Sequence, residues 1–137
     1  MRKITPDFKG RKALIADDYI INQELTKEML ELMGCEVDVA ADGKIALEKY
    51  GNNAYDVIMM DVQMPEMDGY EATKKIREIE CGTGREHTLI IAITANAMSG
   101  DKEKCLASGM DDYISKPIKG EVLQQKLAKY FTVNNQE

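Results

Sequence analysis

The chain has 137 residues, enough for one domain that buries roughly two-thirds of its unfolded surface without a metal or disulfide staple. Eighteen Lys and Arg against 24 Asp and Glu leave a net charge of −6, the wrong sign for a face that neutralises nucleic-acid phosphates. Apolar runs such as 89–93 fall far below the ~18 residues of a membrane span, and no apolar stretch follows the basic N-terminus, which excludes direct membrane insertion and a secretory signal.

The cysteines, Cys35, Cys81 and Cys105, are odd in number and far apart, the pattern of free thiols in a reducing cytosol. Cys35 opens a strand-like stretch and reads as a small core residue. The single histidine, His87, has no cysteine nearby and reads as a solvated loop residue rather than a metal ligand.

In chain order, "KALIAD" (12–17) is a short apolar run closed by an acid. Residues 19–33 then carry Ile21, Leu25, Met29 and Leu32 at spacings of four, four and three, one face of a helix. Gly34 stands where a helix ends in a left-handed turn. Residues 35–40 alternate as a strand does, and Asp42 is placed to cap a helix over 43–50. A third strand covers 55–60 and runs into Asp61. Ala72, Ile76 and Ile79 mark a helix over 68–80, and "CGTGREH" (81–87) reads as a loop. A fourth buried strand, 89–93, ends at Thr94. A weaker helix covers 98–107, a brief fifth strand 112–115, and a last helix 120–131 with Leu123, Leu127 and Tyr130 on one face. The polar tail, 132–137, is expected to fray. Five strand–helix alternations with short connections specify an α/β domain whose parallel sheet is covered on both faces.

Ligands of open α/β sheets sit at the carboxyl ends of the strands. Those ends hold Asp17 and Asp18, then Asp61, then Thr94, then Lys116 just past the fifth strand. Three clustered carboxylates repel one another unless a cation or proton compensates. Hard oxygen ligands suit Mg²⁺, which shares its shell with phosphate oxygens; Lys116 offers a charge and Thr94 a hydroxyl to such oxygens. One aspartate is then left to act as a nucleophile, and Asp61 at the end of a central strand fits that role. Singly, each residue has a plainer reading: Asp18 as a helix cap, Thr94 as a turn residue, Lys116 as a solvated lysine, Tyr113 as core. Those readings do not explain why all the polar exceptions gather on one edge.

"IADD", "MMDVQMPEMDG", "ITAN" and "YISKPI", in this order and spacing, resemble the receiver domain of two-component response regulators, most of all receivers of hybrid sensor histidine kinases. The resemblance covers 12–131, with 1–11 as an extension or linker and 132–137 as a tail. It implies a single flavodoxin-like (βα)5 fold with sheet order 2-1-3-4-5, an order for which a receiver is among the standard examples. It implies that Asp61 accepts a phosphoryl group from a phosphohistidine of a histidine kinase or histidine phosphotransfer domain. Asp17, Asp18, Asp61 and the Gln63 carbonyl would hold Mg²⁺, with Mn²⁺ as a substitute. Thr94 and Lys116 would bind the phosphoryl oxygens, and Thr94 and Tyr113 would form the switch. Gln63 and Asn96 would tune the lifetime of the acyl phosphate, and the Lys116–Pro117 bond would be cis. The implied protein is cytoplasmic, alone or as part of a membrane-anchored hybrid kinase. It would dephosphorylate itself slowly but is no turnover enzyme, and phosphorylation-dependent dimerisation is compatible with the family.

Two rivals use similar parts. A haloacid-dehalogenase-type phosphatase would want a second acid where Gln63 stands, and a cap domain for which there is no room. A flavodoxin-like FMN carrier would place Ser and Thr, not Asp17 and Asp18, after the first strand. A receiver-like module that never takes up phosphate is a third reading, set against an intact set of chemical residues.

Overall fold

The computed structural model describes residues 8–95, 100 and 102–131. The elements run β1 (Lys12–Ala16), α1 (Ile20–Leu32), β2 (Glu36–Ala40), α2 (Gly43–Asn52), β3 (Val57–Asp61), α3 (Gly69–Thr83), β4 (Leu89–Thr94), α4 (Lys102–Ser108), β5 (Asp112–Ser115) and α5 (Gly120–Phe131). The strands form one parallel sheet in the order β2-β1-β3-β4-β5.

Every residue of β3 and β4 is buried, as expected of strands covered on both faces. Alternate side chains feed two cores. Leu14, Ile58, Met60 and Ile90 pack with Ala46, Tyr50, Ala72 and Ile76 under α2 and α3. On the other face Ile15, Val57, Met59 and Ile91 pack with Leu30, Leu123, Leu127 and Phe131 under α1 and α5. This two-sided cover leaves the ends of the sheet as the places where polar groups can gather.

Three details depart from the sequence reading. Helix α3 runs through Cys81, Gly82 and Thr83, which were expected in a loop; the helix stops at Gly84, whose φ of +75° provides the left-handed cap. Phe8, placed by the sequence in an extension, is buried edge-on against Phe131 with ring centroids 5.3 Å apart, and its amide donates to the Met33 carbonyl. Third, the face of α1 read from Ile21, Leu25, Met29 and Leu32 is turned largely away from the core. Ile21, Leu25 and Leu32 are exposed, while Thr26 and Leu30 are the buried residues of that helix. The expected ends at Gly34 and Gly109 do adopt positive φ, +99° and +108°. The expected helix from Met98 and the fraying tail include residues outside those described.

Among the described residues no helix is long and apolar enough to cross a membrane. Cys35 and Cys105 are buried and Cys81 is exposed, and none of the three forms a disulfide among the described residues.

Candidate functional site

Strands β1 and β3 lie side by side, with Ala16 opposite Met60, so Asp17 and Asp61 leave the sheet at the same level. One carboxylate oxygen from each of Asp17, Asp18 and Asp61 lies within 4.8 Å of the other two. Neither acid after β1 is spent on an ordinary cap. The N-cap of α1 is Tyr19, which makes no side-chain capping bond, so Asp18 is not the cap that its position suggested. Asp17 Oδ1 instead accepts from the Tyr19 amide at 2.9 Å, and the Gln23 side chain donates to the Asp17 carbonyl at 2.7 Å.

Asp17 is fully buried, yet its second oxygen, Oδ2, has no hydrogen-bond partner among the described residues. Burial pushes this carboxyl up to about 6; the charges of Asp61 and Asp18 add to the rise, against the opposing Tyr19 amide and Lys116 ammonium. A buried, unpartnered carboxylate oxygen is expensive unless something positive meets it. Three acids and one ammonium leave the edge short of positive charge, and an all-oxygen donor set suits a hard divalent cation.

Asp61 is 2% exposed, and both of its oxygens are engaged. Oδ1 accepts from the Gln63 amide at 3.1 Å, and Oδ2 lies 3.2 Å from Lys116 Nζ. Lys116 reaches it from beyond β5, where the Lys116 amide donates to the Thr94 carbonyl at 2.9 Å and the Lys116–Pro117 peptide is cis. Thr94 is buried at the end of β4, one register position past the Ile93 that faces Asp61. Tyr113 lies half-buried on β5 opposite Ala92, with Lys102 Nζ 5.9 Å and Lys126 Nζ 5.1 Å from its ring centroid. The fold thus brings Asp17, Asp18, Asp61 and Lys116 into one cluster, sets Thr94 on the same edge, and keeps Tyr113 on the adjoining surface. Asn96 lies outside the described residues.

Residues 13–128 match the family model of the response regulator receiver domain. This chain belongs to that family. The receiver is 47% identical over 133 residues to hybrid signal transduction histidine kinase I of Dictyostelium discoideum, and 42% identical over 118 residues to the sensor histidine kinase RcsC of Salmonella typhimurium. These matches cover 90% and 85% of the chain but 8% and 12% of those much longer kinases. Its fold resembles the receiver domain of a Pseudomonas aeruginosa sensor histidine kinase, solved with a magnesium ion coordinated in the active-site cleft. The TM-score is 0.78 and the identity 40%, covering 88% of this chain and 97% of that one. It also resembles the receiver domain of Ssk1 from Saccharomyces cerevisiae, co-crystallised with the histidine phosphotransfer protein Ypd1. There the TM-score is 0.88 and the identity 29%, covering 98% of this chain and 95% of that one.

The sequence reading did not find the groove beside this cluster. Leu25 and Thr26 of α1 line a small cavity of about 60 Å³ with Asp17, Lys116, Pro117 and Ile118. Only the exposed, apolar character of α1 could have pointed to it, and a helical spacing alone does not say which side faces out.

Proposed function

We propose that this receiver takes a phosphoryl group from a phosphohistidine onto Asp61. The observation that carries the reading is the buried Asp17 oxygen without a hydrogen-bond partner among the described residues, beside two further carboxylates and a lysine 3.2 Å from Asp61. The donor set fits Mg²⁺, with Mn²⁺ as a substitute; Asp17, Asp18, Asp61 and the Gln63 carbonyl would hold it. Bound there, the metal would supply positive charge for the oxygens of the transferring group.

An Asp61 oxygen attacks phosphorus as the P–N bond of the donor breaks, and the electron pair returns to the imidazole. Lys116, already within reach of Asp61, moves its contact to a phosphoryl oxygen, and the Thr94 hydroxyl binds another. The acyl phosphate adds about −1.5 to −2 charges to the edge. Movement of Thr94 toward it leaves room for Tyr113 to turn inward, which alters the surface of α4, β5 and α5, the face on which two receivers would pair. Gln63, exposed two residues past Asp61, stands where it can influence the approach of water and so the slow loss of the phosphoryl group. The domain is a switch rather than a turnover enzyme, and its place is the cytoplasmic side of a phosphorelay.

The donor docks along α1. Ile21, Leu25 and Leu32 form an exposed apolar stripe that ends beside the Asp17–Lys116 groove, and Ile20 and Tyr19 add to it near the site. A helix of a kinase or histidine phosphotransfer domain packed there would bring its histidine to Asp61.

Intact mass after incubation with acetyl phosphate, with and without Mg²⁺, tests the reading. The expected result is one Mg²⁺-dependent phosphoryl adduct that is lost in alkali and absent from Asp61→Asn. An adduct that persists in Asp61→Asn would overturn it.

A further inference from the structure

Two Asp-Gly pairs open helices near the site, and both are built alike. Asp42 Oδ1 accepts from the Ile45 amide at 2.8 Å at the start of α2, and Asp68 Oδ1 from the Glu71 amide at 2.9 Å at the start of α3. In each pair the glycine is buried, with an ordinary helical backbone rather than a left-handed one. A Cβ on Gly69 would collide with the Asp61 carbonyl oxygen, beside the acceptor itself. A Cβ on Gly43 would collide with the carbonyl oxygen of Met67, although Gly43 belongs to a different helix, one that supplies no residue of the acidic cluster.

Met67 ends the loop between β3 and α3, the loop that carries Gln63. That loop has little slack. The Val62 amide is tied to the Ile93 carbonyl at 3.1 Å, the Gly69 amide to the Val62 carbonyl at 3.1 Å, and the Met67 amide to the Pro65 carbonyl at 2.7 Å. Glu66 is held at a φ of +68°, and Met64 and Met67 pack against the core under α2 and α3. A displacement at Met67 therefore has few places to be absorbed before it reaches Gln63.

We infer that Gly43 is a positioning residue: the bare first turn of α2 seats the Met67 carbonyl and so sets the loop that presents Gln63 to the metal site. The inference rests on the metal site proposed for Asp17, Asp18, Asp61 and Gln63. Local propensity predicts the opposite of harm, because Ala is a better helix former than Gly. The contact and the propensity thus pull in different directions at this residue. Gly51 of the same helix has open space where a methyl would stand, with no described atom within 4 Å apart from its chain neighbours and its own helix backbone, and supplies the propensity gain without the contact.

The test compares Mg²⁺ binding by calorimetry, and amide resonances of the metal-free protein, for Gly43→Ala and Gly51→Ala. Gly43→Ala is expected to weaken Mg²⁺ roughly tenfold, the scale of losing an outer-shell support, and to shift the Gln63 and Met67 amides. Gly51→Ala is expected to change neither. A folded Gly43→Ala with the Mg²⁺ affinity and loop resonances of Gly51→Ala would overturn the inference. Should Gly43→Ala fail to fold, the start of α2 is loosened instead: Asp42→Ala, which loses the cap, should bind Mg²⁺ more weakly than Asp42→Asn, which keeps an acceptor. Equal affinities of that pair would count against the role. Failure of the wild type to bind Mg²⁺ would defeat the metal reading alone, since the metal-free resonances still decide whether Gly43 sets the loop.

Discussion

The carboxyl and amino ends of the sheet both collect acids, and they treat them in opposite ways. Near the amino ends of β4 and β5, Arg77 of α3 is surrounded by acceptors. Its Nε donates to the Gly109 carbonyl at 2.9 Å, Nη1 to Glu80 at 2.9 Å and to the Thr88 carbonyl at 2.8 Å, and Nη2 to Asp111 at 3.0 Å. Glu80 Oε2 also accepts from the Thr88 amide at 2.9 Å, and Asp111 Oδ2 from the Ile90 amide at 2.8 Å. His87, as expected, is exposed, but it is not idle: Nε2 lies 2.7 Å from Asp111 Oδ1. On the last strand Asp112 meets Lys126 at 2.8 Å and the Tyr130 hydroxyl at 3.1 Å. At the carboxyl ends, by contrast, three acids gather where one lysine reaches Asp61, and among the described residues a buried oxygen of Asp17 has no hydrogen-bond partner. One end uses charge to hold helices to strands. The other leaves charge unbalanced at a cost in stability, which on the proposed reading suits a cation and a phosphoryl group.

That contrast breaks most readily at Arg77. Arg77→Ala leaves Glu80 buried without its cation and is expected to cost about 3–5 kcal/mol in urea unfolding, with Mg²⁺ affinity little changed in the folded protein. A loss under about 1 kcal/mol, the scale of an exposed pair, would mean that the network is dispensable. Next in size, and opposite in sign, is Asp17→Asn. A carboxyl raised from 3.8 to about 6 on folding corresponds to roughly 3 kcal/mol. Because the folded pKa is the higher one, this residue costs nothing below pH 3.8 and its full penalty above pH 6. Metal-free Asp17→Asn should therefore exceed the wild type in stability at pH 7, and the gap should close as pH falls toward 4. Saturating Mg²⁺ should reverse the order at pH 7 by stabilising the wild type more.

Asp112 supplies the reciprocal case. Burial alone would raise its carboxyl, but the Lys126 hydrogen bond, the Tyr113 amide and the Lys126 charge together hold it below 3.8. Its contribution is present above pH 3.8 and disappears as pH falls through the lowered folded value. Asp112→Asn should cost about 1–2 kcal/mol at pH 7, and the difference should shrink in acid. The smallest effect on stability belongs to α1. Leu25→Ser, at a side chain half in solvent, should change unfolding by about 0.5 kcal/mol or less. It should slow phosphoryl transfer from a histidine phosphotransfer protein while leaving uptake from acetyl phosphate unchanged. Equal slowing with both donors would place Leu25 in the site rather than on a docking face.

As a string of residues alone, the chain already disclosed its alternation of strands and helices, the burial of β3 and β4, and the polar residues waiting at the strand ends. These are local or periodic properties: a run of Val57 to Met60, a helix spacing, an acid that interrupts an apolar stretch. Their common edge follows once the strands are parallel, since parallel strands share one carboxyl end. Other features had no such trace. The spacing of Ile21, Leu25 and Leu32 describes a face but not its direction, and only the burial of Leu30 and Thr26 turned that face outward. Arg77 looks like a surface arginine until α3, β4 and β5 are assembled around it. Gly43 looks like an ordinary helix start until Met67, 24 residues later, comes to rest on it. Sequence by itself determined which elements form and which residue types reach the site, because propensity and hydrophobic period act over a few residues. Tertiary structure decided which acids are balanced and which are left waiting, because balance depends on partners brought from distant parts of the chain.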